Sequence, residues 1–211
     1  MSFAPDPNDP TPGMNVWGWM HPVELRWLAE QAARMDSIAQ VGCLHGRSAY
    51  ALLQACPGTV YCIDPWDDPK GESLPSFMSS CGHFPNLVPV QGYSPPVSRD
   101  VPEVDMVFLD GAHHYGSVIA DINAFLPKTR VLLCGHDYQP GADAGFPDVK
   151  RAVDQVFGDR VSVAEGTSIW WVNLAMSGRH VEPGVPTGPF QWTDEYLKSY
   201  DWDLAWEQIG Q

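Results

Sequence analysis

Two apolar runs, Met106 to Leu109 and Val131 to Leu133, carry no polar residue on either face of a strand, and a carboxylate follows each, Asp110 and Asp137. A strand apolar on both faces belongs in the middle of a parallel sheet whose two faces are covered. The carboxyl ends of such strands are where open α/β sheets bind ligands. An acid placed just past the apolar run emerges beside that crevice, where its desolvation must be offset by a cation, a hydroxyl or a helix N-terminus. Two acids so placed imply a shared partner.

Strands and helices alternate along the rest of the chain. Pro22 opens a helix whose Leu25, Leu28, Ala29 and Ala32 share one face and which runs to about Met35. Strands are expected over residues 37–43, 59–64, 87–91, 104–110 and 130–135, with helices over 46–56, 115–126 and 147–157 and an irregular stretch over 65–86. Strands 160–165 and 168–174, separated by Gly166 and Thr167, read as an antiparallel hairpin. This order specifies a Rossmann-like, doubly wound α/β sheet, mostly parallel, with an antiparallel C-terminal hairpin.

A length of 211 residues suits one domain. Residues 1–13, rich in Pro, Asp and Asn, are expected to form a flexible arm, residues 14–175 the domain, and residues 176–211 an extension packed on it. Lys and Arg total 12 against 26 Asp and Glu, a formal charge of -14, and the basic residues are scattered. Binding to nucleic acid or to an anionic membrane is therefore disfavoured. No leader and no apolar segment long enough to span a bilayer is present, so a soluble, cytoplasmic protein is expected. Cys43, Cys62 and Cys134 fall on core strands, Cys56 ends a helix, Cys81 falls in a loop, and all read as reduced small hydrophobes.

The first strand leads into Gly42, Cys43, Leu44, His45, Gly46, Arg47 and Ser48, and then a helix. Two glycines at this spacing let the backbone turn sharply and approach a ligand at a helix N-terminus. Leu44 stands where a dinucleotide fingerprint needs glycine, which argues against pyrophosphate and a nicotinamide oxidoreductase and favours a nucleoside without phosphates. Asp64 ends the second strand, where an acid holds a ribose diol. Trp66 either stacks on an adenine or covers the sheet edge.

The order Gly18-Trp19-Met20, the Gly42 to Ser48 loop, Ile63-Asp64-Pro65-Trp66, Leu109-Asp110-Gly111 with His113 and Tyr115, and Gly135-His136-Asp137-Tyr138 resembles the class I S-adenosylmethionine-dependent methyltransferases. Within that class it is similar to a bacterial branch that includes macrocin-type O-methyltransferases and cephalosporin hydroxylase-like proteins. The resemblance spans roughly residues 17–173. It implies that Gly42, Cys43, Gly46, Ser48, Asp64, Trp66 and Asp110 contact S-adenosylmethionine. It implies that Asp110 and Asp137 lie near the transferred methyl group and hold Mg2+ or another divalent cation; His136 beside them is either a third ligand or a residue that only hydrogen-bonds a loop.

Gln40 replaces an acid common in that family, and Ala112 replaces an Asp that serves some relatives as general base. His113 is the nearest substitute, because an imidazole titrates near neutrality. The expected reaction is O-methylation of a small-molecule acceptor, a sugar or glycosylated metabolite. The competing expectation, motivated by Gln40 and Ala112, is a non-catalytic cofactor-binding or scaffold module. Trp192, Tyr196 and Tyr200 make a helical stripe in the C-terminal extension that packs on the domain or joins two copies in a homo-oligomer.

Overall fold

The computed structural model of the chain describes residues 5–6, 8–139 and 145–175. Its strands are β1 (Ser37–Val41), β2 (Thr59–Asp64), β3 (Leu87–Gln91), β4 (Val104–Leu109), β5 (Thr129–Gly135), β6 (Ser162–Val163) and β7 (Trp170–Asn173). Its helices are α1 (Pro22–Ala32), α2 (Arg47–Ala55), α3 (Ser73–Cys81), α4 (Ser94–Val97), α5 (Tyr115–Phe125) and α6 (Pro147–Phe157). The described strands form one sheet in the order β3-β2-β1-β4-β5-β7-β6. β1 to β5 are parallel, and β7 runs antiparallel to both β5 and β6.

The apolar runs that fix this fold divide between the two faces with the strand period of two. Ile38, Met106, Phe108, Leu132 and Cys134 pack with Leu25, Leu28, Leu52 and Phe77 of α1, α2 and α3. Ala39, Val41, Val107, Leu109 and Leu133 pack with Ile122 and Phe125 of α5 and Val149 and Val153 of α6. Both faces are thus covered, and each fully buried Leu, Ile or Phe contributes about 1.5–3 kcal/mol of transfer free energy. The strand order reverses between β1 and β4, where Val41 and Leu109 lie side by side. Their carboxyl ends form the crevice.

Several boundaries differ from the sequence expectation for identifiable reasons. β1 stops at Val41 because Gly42 turns away at φ 81°. The stretch 65–86 is not wholly irregular, because α3 lies within it and Cys81 ends that helix rather than sitting in a loop. Its serines and Pro75 are poor helix formers, so burial of Phe77 and Cys81 is what holds it. The strand expected over 160–165 narrows to β6, since a short 3-10 turn occupies Gly158–Arg160. α1 ends at Ala32, short of Met35.

Two residues of the expected N-terminal arm, Thr11 and Gly13, are buried against the domain. Thr11 accepts a hydrogen bond from Arg26 Nη1 at 3.0 Å, and Arg47, itself buried, donates from Nη1 to Val16 O at 2.8 Å. The C-terminal extension 176–211, with its aromatic stripe and the oligomer contact expected of it, lies outside the described residues. Among the described residues no helix is long and apolar enough to cross a membrane. All five cysteines are free and buried.

Candidate active site

The loop after β1 is built to lie flat against the end of β4. A Cβ at Gly42 would stand 1.9 Å from the Asp110 carbonyl oxygen, and φ there is 81°, so only glycine fits. Asp64 braces the same loop from β2. Its Oδ2 accepts from Cys43 N at 2.8 Å and Leu44 N at 3.0 Å, and its Oδ1 accepts from Trp66 N at 2.7 Å. These bonds hold Leu44 and Trp66 at positive φ, 45° and 44°. Such backbone strain clusters at ligand sites.

Ser48 and Trp66 lie beneath the loop, 6 % and 5 % exposed, where they support it. Trp66 packs on Phe77 at a centroid distance of 4.7 Å and donates from Nε1 to Leu44 O at 3.1 Å. Its ring is thus buried between Phe77 and the loop after β1. Gln40, fully buried, donates from Nε2 to Gly42 O at 2.8 Å and to Ser48 Oγ at 2.7 Å. Where the family commonly has an acid, a neutral amide holds the loop by donating to it. Gly46, at φ 97°, precedes α2 and gives that helix no side-chain cap.

Across the switch point four ionisable side chains converge. His113 Nε2 lies 2.9 Å from Asp137 Oδ2 and 3.8 Å from Asp110 Oδ1. Neither contact is an aligned hydrogen bond, so this buried nitrogen has no directed partner. Phe146 stacks on the His113 ring at 4.0 Å and fixes its plane. His136 Nδ1 lies 3.6 Å from Asp110 Oδ1 and 3.4 Å from Asp137 Oδ2. Asp137 sits at φ 60°, a conformation an Asp tolerates better than most residues.

Charge decides the protonation of this group. Burial alone would lower the His113 pKa, but the two carboxylates outweigh it and raise it to about 9. His136 is likewise pushed well up against the effect of burial, by the Asp110 charge and by bonds to Asp110, Asp137 and Glu24. Burial would raise the Asp110 and Asp137 pKa values, yet the imidazoles hold both carboxylates below their ordinary range. One oxygen or nitrogen from each of Asp110, His113 and Asp137 lies within 4.8 Å of the others, a spacing that suits one cation. That set contains His113 where the sequence pointed to His136.

Two participants escaped the sequence reading. Glu24 on α1 is 6 % exposed, and its Oε1 accepts from His136 Nε2 at 3.0 Å. Asp121 on α5 is 5 % exposed, lines the same pocket as Asp110 and His113, and accepts a hydrogen bond from Ser94 Oγ. The only local signal was Glu24 three residues after His21, a capping-box spacing.

Residues 39–138 match a family model described as a methyltransferase domain. No curated protein matches the chain. Among solved structures, the cofactor-bound Rv0187 from MTB is similar with a TM-score of 0.59 at 15% identity, covering 74% of this chain and 82% of that one. The O-methyltransferase TomG from Streptomyces achromogenes, solved in complex with SAM, has a TM-score of 0.55 at 17% identity, covering 74% of this chain and 81% of that one. An O-methyltransferase from Bacillus cereus in complex with SAH has a TM-score of 0.56 at 15% identity, covering 74% of this chain and 82% of that one. At such identities these likenesses show the fold. Residues 39–138 thus match a methyltransferase domain, and the described sheet with its flanking helices has the class I methyltransferase fold.

Proposed function

We propose that the protein transfers a methyl group from S-adenosylmethionine to a hydroxyl of a small polar acceptor, such as a sugar or a glycosylated metabolite. The observation that carries this reading is the meeting, at the switch point of the sheet, of a glycine loop braced by Asp64 with Asp110, His113, His136 and Asp137. The SAM and SAH complexes of the Streptomyces and Bacillus proteins support the choice of donor. When bound, the donor supplies an electrophilic sulfonium methyl. Gly42 and Gly46 let the loop fold tightly against Asp110 and Phe77, so that its backbone can meet the donor's amino-acid part, and the uncapped first turn of α2 suits its carboxylate. Asp64, at the end of β2, retains acceptor capacity for ribose hydroxyls beyond the loop amides it holds. Alignment of acceptor and donor is the main contribution asked of the protein.

The acceptor's hydroxyl is oriented by Asp110 and Asp137, and His113 Nε2 receives its proton. Because the two acids raise the His113 pKa to about 9, the ring is protonated at neutral pH, and turnover without a cation rises toward alkaline pH. A second arrangement is favoured by the undirected His113 Nε2 and the 4.8 Å cluster. In it Asp110, Asp137 and an imidazole hold a divalent cation; two carboxylates and one nitrogen suit Mn2+ or Mg2+, and more nitrogen favours later transition metals. When bound, such a cation lowers the pKa of an oxygen it contacts. His113 cannot ligate and take a proton through one nitrogen at once, so the two arrangements exclude each other where His113 is the ligand; where His136 is the ligand, His113 remains free to take the proton.

Calorimetry with S-adenosylhomocysteine tests the donor. Binding to the intact protein is expected, and Asp64→Ala should weaken it at least about tenfold through loss of charge-assisted hydrogen bonds. No binding would sink the assignment. Turnover with and without a chelator then separates the arrangements. Chelator-resistant turnover that falls by about 10²- to 10⁴-fold in His113→Ala identifies the base, whereas chelator-sensitive turnover identifies the cation.

A further inference from the structure

Glu24 sits at the third position of α1, where a glutamate ordinarily closes a capping box. One oxygen does that local work: Oε2 accepts from His21 N at 2.8 Å. The other does nothing for the helix. Oε1 reaches across to accept from His136 Nε2 at 3.0 Å, Ser168 N at 3.2 Å and Ser168 Oγ at 3.1 Å. These partners lie 112 and 144 residues away in sequence, one past the end of β5 and one in the turn before β7. With Nε2 committed to Glu24, His136 presents Nδ1 to Asp110 and Asp137 at 3.6 and 3.4 Å. Glu24 lies outside the matched methyltransferase domain, residues 39–138.

We propose that Glu24 is a positioning residue of the methyl-transfer site: by accepting a hydrogen bond from His136 Nε2, it fixes the orientation of the ring and leaves Nδ1 as the nitrogen that faces Asp110 and Asp137. The arrangement is the carboxylate–imidazole pairing that, around metal ligands, sets which nitrogen is offered inward. Three elements are tied by one carboxylate oxygen, so α1 is part of the site rather than an appendage to the sheet. The proposal rests on the methyltransferase reading for its purpose, but its structural content is independent of that reading.

Glu24→Gln is the decisive variant, because Gln also serves a capping box and yet has one acceptor oxygen where Glu has two. The helix cap or the His136 contact must give way. In ¹⁵N-labelled protein the wild type should show an exchange-protected, downfield His136 Nε2 proton, identified by its absence in His136→Gln. Glu24→Gln should remove or shift that signal. It should also weaken Mn2+, followed by electron paramagnetic resonance, by about 10- to 100-fold while leaving S-adenosylhomocysteine affinity within about twofold.

A folded Glu24→Gln protein with the wild-type ring signal and wild-type Mn2+ affinity overturns the proposal, as does a wild type that lacks the protected signal. If the wild type binds no Mn2+, the cation arrangement fails and the ring signal alone decides about Glu24. If it binds no S-adenosylhomocysteine, the donor assignment fails and the ring signal still decides. Should Glu24→Gln not fold, Glu24→Asp, one methylene shorter, must withdraw from the ring and move the same signal; an unmoved signal refutes the role.

Discussion

Asp121 shows how a single buried group leaves a mark on the whole protein. Burial pushes its pKa up to about 7, and the hydrogen bond from Ser94 Oγ only partly offsets this. The folded state therefore holds a proton that the unfolded chain releases from about pH 4 upward. A group whose folded pKa is raised contributes stability that is present below its unfolded pKa and lost as pH rises through the folded one. A shift of this size corresponds to roughly 4 kcal/mol, as an order of magnitude. Asp121→Asn, which keeps an acceptor for Ser94 and cannot ionise, should match the wild type near about pH 4, become progressively more stable than it through neutrality, and level off above about pH 8. Thermal unfolding across that range checks it, and a constant difference at every pH would refute it. Asp121 and Glu24 share the reason they could not be read from sequence. Their partners are set by tertiary approach, whereas Asp110 and Asp137 announced themselves by ending apolar strands.

The elements differ in how much of their formation is local. β4 and β5 were legible because Met106, Phe108, Leu132 and Cys134 face one layer while Val107, Leu109 and Leu133 face the other, which leaves no polar position to mistake for solvent. α3 was not. Its run of serines around Pro75 has little helical propensity, and only Phe77 and Cys81, both fully buried, supply a reason for it to form. That reason is also functional, since Phe77 packs on Trp66, and the ring lies 3.2 Å from where a Cβ of Gly46 would stand. Phe77→Ala should destabilise the protein by about 3–5 kcal/mol in denaturant unfolding. It should also weaken S-adenosylhomocysteine binding under conditions where the variant is still folded, because the loop loses the floor that Trp66 rests on. Unchanged affinity in the folded variant would show that Asp64 alone holds the loop.

At the scale of the whole molecule, the sheet order brings the loop after β1 beside the acids after β4 and β5, while the charge of the chain sets what approaches them. The 26 acidic residues exceed the 12 basic ones, and three of the acids, Asp110, Asp137 and Glu24, stand at the site against two imidazoles. The field at the crevice is thus expected to favour cations, and more so at low ionic strength, when its range is several times the roughly 8 Å that physiological salt allows. S-adenosylmethionine carries a sulfonium charge that S-adenosylhomocysteine lacks, so the pair isolates this effect with almost no change of shape. Raising salt from about 0.02 to about 0.5 M should weaken binding of the methionine form by several-fold and affect the homocysteine form distinctly less. Calorimetric titrations of both ligands in both buffers make the comparison. Equal salt responses would mean that the sulfonium lies where His113 and His136 cancel the acids, and that the donor is selected by the loop after β1 rather than by the field.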